Sequence, residues 1–136
     1  MNKKGQVSLE YILIVGAVVC LLLIIVTTST FLYKKNLCAI DDRELIKTGE
    51  RLQQIINVLE LMPSGYEKII INPEATWEIK YQGYQKKTII LGNGNKEKSI
   101  SSISDIYLEK NSISDKSEII INKMDNKIYI DIKTVD

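Results

Sequence analysis

An α+β architecture is predicted: a long N-terminal hydrophobic helix followed by a small antiparallel β-sheet head. No residue from Tyr11 to Tyr33 carries a charge. Between Ile40 and Leu59, apolar residues recur at helical spacing with charged residues between them. Beyond Pro63-Ser64-Gly65, apolar and polar residues alternate with a period of two, the pattern of half-buried strands.

The hydrophobic segment follows a short basic start. Met1–Gly5 carries Lys3 and Lys4, then Gln6-Val7-Ser8-Leu9-Glu10 leads into the uncharged stretch. About 20 apolar residues in a helix span the hydrocarbon core of a bilayer, so Tyr11–Tyr33 is long enough. Lys3/Lys4 and Lys34/Lys35 stand at its two ends. Positive charge on a very short N-terminal flank favours an N-inside orientation. A secretory signal peptide also starts with lysine and an apolar core, but a small-x-small cleavage site should follow. Val26-Thr27-Thr28-Ser29-Thr30 matches such a site poorly. A lipoprotein signal needs a small residue just before its cysteine, and Val19 precedes Cys20. A plain single-pass anchor stays open.

The second helical segment, residues 35–62, shows Ile40, Leu45, Ile46, Leu52, Ile55, Ile56 and Leu59 as an apolar stripe. Lys47, Arg51, Glu50 and Gln54 fall on its solvated faces. No proline interrupts residues 6–62, Gly49 can soften the helix, and Pro63-Ser64-Gly65 ends it. Whether the helix continues through Asn36 or breaks there is left open by the residues.

Residues 63–136 read as the β head. In Thr76–Gln82, Trp77, Ile79 and Tyr81 alternate with Glu78, Lys80 and Gln82. Further strands are expected over Glu67–Asn72 and Lys86–Leu91, with a tight connection at Gly83-Tyr84. Gly92-Asn93-Gly94-Asn95 is a turn signal; no helix follows to make it a phosphate loop. Ser117–Asn122 and Lys127–Lys133 form a hairpin around Lys123-Met124-Asp125-Asn126. Trp77, Ile79, Tyr81, Ile128, Ile130 and Ile132 are expected on one apolar sheet face, covered by Leu45, Leu52, Ile56 and Leu59.

Charge and composition bound the chemistry. The 136 residues include 18 basic and 17 acidic side chains, and no histidine. A nucleic-acid binder would show a basic excess or stripe, so no nucleic-acid partner is expected. The lack of histidine removes serine–histidine triads and histidine-bearing zinc sites. Asp41/Asp42 and Asp105/Glu109 are acidic pairs read as solvated positions rather than a catalytic cluster. Neither catalytic residues, nor a metal site, nor a cofactor is expected. Cys20 and Cys38 are 18 residues apart, or roughly 27 Å on one helix, well beyond the ~7 Å that a disulfide spans. Cys20 is expected as a buried small hydrophobe and Cys38 as a free thiol or an intersubunit bridge.

The most informative residue is Glu10. A carboxylate at the head of a membrane-length apolar helix is costly and usually has a partner and a purpose. Around it, Lys3-Lys4-Gly5-Gln6-Val7-Ser8-Leu9-Glu10 resembles the class III signal peptide of archaeal pilins, especially those of methanogens: a basic leader, a glycine, then Gln-x-Ser-x-Glu before a hydrophobic helix. Gln6, Ser8 and Glu10 match position by position. The family often has leucine four residues after the glutamate; Ile14 stands there, with Leu13 before it. The resemblance covers roughly residues 3–30.

That resemblance implies a type IV pilin-like fold and a subunit cut between Gly5 and Gln6 by a membrane prepilin peptidase. Residues 1–5 would be the leader, 6–34 the transmembrane and filament-core helix, 35–62 its amphipathic continuation and 63–136 the head. Cutting removes two of the 18 basic side chains, Lys3 and Lys4, leaving 16 against 17 acidic. It also creates an ammonium group at Gln6, which in related filaments is thought to pair with a neighbour's glutamate, here Glu10. The precursor would sit in the cell membrane with its N-terminus cytoplasmic. The mature subunit would form a homo-oligomeric helical filament at the cell surface. A repeated heterologous contact generates such an open helix, and small residues Gly16 and Ala17 allow close helix approach. The alternative is a membrane-anchored surface binding or adhesion module, or a minor pilin.

Overall fold

The computed structural model describes residues 3–73, 75–114 and 116–135, and at Lys3 and Lys4 the backbone alone. The chain divides into two units, Met1–Leu37 and Cys38–Asp136. The described residues of the first, 3–37, are all helix. The helix α1 runs over Lys3–Glu60 and is unbroken at Asn36, with no proline before Pro63 to interrupt its ladder.

In the second unit, α1 ends in a tightened turn. Leu61 N donates to Val58 O at 3.2 Å and Met62 N to Leu59 O at 3.1 Å, the three-residue bonds that commonly close a helix. Pro63 then prevents continuation. Gly65 opens the first strand because a Cβ there would collide with the Leu59 side chain. Gly49 does not break α1. It leaves room for the stem of Lys98, which a Cβ would strike.

Eight strands follow: β1 (Gly65–Ile71), β2 (Trp77–Tyr81), β3 (Thr88–Gly92), β4 (Glu97–Ser101), β5 (Asp105–Leu108), β6 (Ser112–Ile113), β7 (Ser117–Met124) and β8 (Lys127–Thr134). They form two sheets, ordered β1-β7-β8-β5 and β4-β3-β2-β6. All pairs are antiparallel except β5–β8, which is parallel, with Asp105 opposite Lys127 and Leu108 opposite Ile130. The α+β class is therefore as expected, with an antiparallel-rich head.

The predicted single apolar face is in fact two. Trp77 and Ile79 belong to the sheet β4-β3-β2-β6, whereas Ile128, Ile130 and Ile132 belong to β1-β7-β8-β5. Alternation tells which side chains point inward; it does not tell which strands share a ladder. Both inner faces meet Leu45, Leu52, Ile56 and Leu59 of α1 in one core, all of these residues at most 3% exposed. Tyr81 stays at the margin, half-buried, because its hydroxyl accepts a 2.9 Å hydrogen bond from Leu108 N. That bond ties β2 of one sheet to the end of β5 in the other.

Other expectations need correction. Lys123 is not in the hairpin turn. The turn is Asp125-Asn126, with φ of 50° and 60°, the left-handed pair that a two-residue type I′ hairpin requires. Lys123 belongs to β7 and is buried. Its ammonium donates to Glu60 O at 3.0 Å and Met62 O at 2.7 Å, capping the C-terminal carbonyls of α1 where positive charge is favoured. Ile40 and Ile46, read as part of the apolar stripe, are 49% and 37% exposed. The buried stripe begins one residue after Ile40, at Asp41, and passes through Leu45 and Thr48. Asp41 is thus not a solvated acid: it is only 3% exposed.

The edge strand β4 is covered by a side chain. Gln53 of α1 donates from Nε2 to Ser101 O at 2.8 Å and accepts at Oε1 from Ser101 N at 2.8 Å. This amide imitates a neighbouring strand and satisfies groups that would otherwise template association. Glu60 similarly accepts from Ser102 Oγ and Ile103 N beyond the end of β4.

Candidate processing and assembly segment

Gly5, Gln6, Ser8 and Glu10 all lie on α1 and are all exposed. The side chains of Lys3 and Lys4 lie outside the described residues. Gln6 and Glu10 are one turn apart and share a face, about 6 Å along the axis. Leu13 and Ala17 continue that face, whereas Ser8 projects to the other side. No hydrogen bond or ion pair reaches the Glu10 carboxylate among the described residues. The Gly5–Gln6 peptide bond is helical in the intact chain. It lies in the first turns, where several N–H groups have no helical partner, and glycine weakens helix there further. Local unwinding to present this bond to a peptidase is therefore cheap.

Behind Glu10 the helix surface is almost wholly apolar and bare. Leu13 is 65% exposed, Leu22 56% and Phe31 68%. The helix is long and apolar enough to cross a membrane. Cys20, expected to be buried, is exposed like its neighbours, because no other part of the first unit covers it; Cys38 is exposed as well, and both are free thiols. At Gly16 an added Cβ would meet nothing within 4 Å, so the notch is open in the single chain.

The three threonines within this apolar stretch are satisfied internally. Thr27 Oγ1 donates to Leu23 O at 2.9 Å, Thr28 Oγ1 to Ile24 O at 2.7 Å and Thr30 Oγ1 to Thr27 O at 2.9 Å. A hydroxyl that folds back onto the preceding turn leaves no donor stranded in an apolar medium. Sequence reasoning read these threonines only as a poor cleavage site. Their spacing from preceding carbonyls on a helix was the signal available.

Sequence reasoning also missed a network in the second unit. Trp77 Nε1 donates to Asp41 Oδ1 at 2.9 Å, and Asn93 Nδ2 donates to Asp41 Oδ2 at 2.6 Å and Asp42 Oδ1 at 2.9 Å. Asn95 Nδ2 reaches Asp42 Oδ2 at 2.9 Å. The Gly92–Asn95 turn is thereby held against α1. Asp105 and Glu109 do not converge on this pair. Among the described residues, no group of three or more His, Cys, Asp or Glu could hold a metal ion.

A model of the class III signal peptide family matches residues 3–30, the stretch that carries Gly5, Gln6, Ser8, Glu10 and most of the bare apolar surface. No curated protein and no solved structure matches the chain. The matched segment ends before the β head begins, so the likeness concerns processing and anchoring rather than the head. It supports a type IV pilin-like protein, made as a prepilin-type precursor with a membrane-anchoring helix.

Proposed function

We propose that the chain is a structural subunit of an archaeal type IV pilus-like surface filament, of the methanogen type. A prepilin peptidase cuts between Gly5 and Gln6 on the cytoplasmic side, with Lys3 and Lys4 holding the leader at that interface. Residues 6–34 anchor the subunit in the bilayer and then pack against copies of themselves. Residues 35–62 continue as the amphipathic helix that supports the head of residues 63–136.

One observation carries this reading: Gly5-Gln6-x-Ser8-x-Glu10 coincides with the start of a helix whose apolar surface is uncovered within its own unit. Such a surface requires lipid or other helices around it. Burial of Ile, Val and Leu side chains among copies is worth roughly 25 cal/mol per Å² removed from water. The family match over residues 3–30 spans the proposed cleavage point and most of the apolar helix.

Mass spectrometry of sheared surface filaments tests the proposal. The expected result is a peptide beginning at Gln6 in a chain that still contains Tyr11–Tyr33. A mature N-terminus near residue 30, or absence of the chain from filaments, defeats it.

A further inference from the structure

The outer face of the sheet β1-β7-β8-β5 carries a row of side chains that the core does not use. Register places Tyr107 of β5 opposite Tyr129 of β8, Tyr129 opposite Asn122 of β7, and Asn122 opposite Tyr66 of β1. Their strand neighbours Ile106, Ile128 and Ile121 are fully buried, so by alternation the row projects away from the core. Tyr66 is 54% and Tyr129 38% exposed. With strands about 4.8 Å apart, the row crosses three spacings, or ~14 Å.

These tyrosines are pre-arranged. The rings of Tyr107 and Tyr129 stack with centroids 5.3 Å apart and planes 22° apart. Tyrosine offers a flat apolar ring and a hydroxyl with few rotors to freeze. A pyranose ring is the complementary object, with an apolar C–H face and a rim of hydroxyls. Asn122, in the row between Tyr129 and Tyr66, supplies an amide able to donate to and accept from those hydroxyls.

The charge on this face is uneven. Lys68 is held by Glu118 at 3.0 Å and Lys133 by Asp131 at 3.8 Å. At the other end of the row, Lys86 and Lys127 stand with Nζ 4.8 Å and 5.5 Å from the Tyr107 ring centroid, and neither forms an ion pair among the described residues. Against them, register places the Asp105 carboxylate opposite Lys127, while Glu109 follows Tyr107 by two residues, on the other side of the ring pair from Lys127. That end therefore favours an anion beside an aromatic ring.

We infer that this face binds an extended acidic polysaccharide, its sugar rings lying on Tyr107, Tyr129 and Tyr66 and a carboxylate or sulfate meeting Lys86 and Lys127. The inference goes beyond the filament reading and does not depend on it, since it holds equally for a polymerised or a singly anchored chain.

Electrophoresis of the full-length chain in detergent, through gels containing alginate, polygalacturonate, chondroitin sulfate, dextran or amylose, tests it. At least one acidic polymer should retard the wild type more than either neutral one. Tyr107→Ala/Tyr129→Ala should weaken that retardation about tenfold in Kd, equivalent to about 1.4 kcal/mol. Tyr129→Phe should preserve it, and Lys86→Ala/Lys127→Ala should erase the preference for acidic over neutral polymers. Tyr66→Ala, on the edge strand, provides an aromatic deletion if the double variant fails to fold, and should also weaken binding. Retardation by none of the acidic polymers overturns the inference. So does retardation that survives loss of the tyrosines. A tyrosine deletion that changes only sedimentation, and no polysaccharide binding, assigns the face to self-association and equally overturns it.

Discussion

Trp77 and Asp41 meet inside the head: the indole Nε1 donates to Asp41 Oδ1 at 2.9 Å, with Trp77 fully buried and Asp41 3% exposed. The bond joins α1 to β2 across 36 residues of sequence. Removing this buried acceptor strands the indole N–H, at a cost of about 1–3 kcal/mol, whereas the Asn93 amide keeps its bond to Asp42 Oδ1. Asp41→Ala should therefore destabilise the head by at least that much, and Asp41→Asn by less, since its amide oxygen still accepts. Trp77 is the sole tryptophan, so thermal unfolding followed by its fluorescence reads the head directly. A loss of 1 kcal/mol lowers Tm by roughly 4–8 °C in a domain of this size. An unchanged midpoint in Asp41→Ala would show that the bond contributes nothing.

The second prediction concerns Lys123, whose ammonium bridges the carbonyls of Glu60 and Met62. Lys123→Met keeps an apolar stem of similar length and removes the ammonium with both of its hydrogen bonds. It should cost about 1–3 kcal/mol, and hydrogen exchange should accelerate first at the Leu61 and Met62 amides, whose turn loses its cap. Uniform acceleration through the sheets, with those amides unaffected, would contradict the capping role.

Much of this architecture was legible from residues alone. Leu45, Leu52, Ile56 and Leu59 share a helical face, and Trp77, Ile79, Ile128, Ile130 and Ile132 alternate; all nine are buried. Gln6, Ser8 and Glu10 stood out by their resemblance to a class III signal peptide, and the family match over residues 3–30 covers them. What could not be read is long-range pairing. Asp41 beside Asp42 looks like a solvated acid because its donor is 36 residues away. Lys123 beside a turn looks like a turn residue because the carbonyls it binds lie 61 and 63 residues earlier. The tyrosine row exists only once register across four strands is known.

Alkaline conditions offer a third prediction. Glu118 accepts from Lys68 at 3.0 Å, and that hydrogen bond, followed by Tyr66, raises the Lys68 pKa above its ordinary 10.5. Because the folded value is the higher one, the contribution is fully present below the unfolded pKa. It disappears as pH rises through the folded value. Lys68 is solvent-exposed, so the effect is small. The Tm gap between wild type and Lys68→Gln should be constant from pH 7 to 9 and close above pH 10.5. A gap that widens with alkalinity would reverse the sign and refute the pairing.

Processing supplies the fourth prediction. Gly5 has no Cβ and the space around it is empty in the chain itself, so any penalty for a larger residue must arise in the peptidase site. Gly5→Val should leave the head's unfolding midpoint unchanged while blocking conversion of the precursor. Immunoblots of membranes should show only the full-length form. Normal maturation of Gly5→Val would place the cut elsewhere.

The last prediction separates an anchor from an assembling subunit, and it rests on Glu10. A simple anchor gains nothing from a carboxylate at this depth, and replacing it should leave insertion unchanged or slightly better. A filament subunit is different, because its helix must leave lipid for a core lined by other helices. There an unpaired carboxylate is strongly unfavourable, and a cation must come to it. An amine created at Gln6 by the proposed cut would be only one turn away on the same chain, so an intrachain pair would carry no information about a neighbour. The same amine on an adjacent subunit would neutralise Glu10 and fix the axial step between subunits. Glu10→Gln should therefore be cut and inserted normally yet enter filaments poorly. Glu10→Asp should be intermediate, keeping charge but losing reach. Electron microscopy and shearing of cells that express each variant in place of the wild type measure the yield. Full filament yield from Glu10→Ala would remove the assembly role and leave Glu10 as an interfacial residue at the head of a membrane helix.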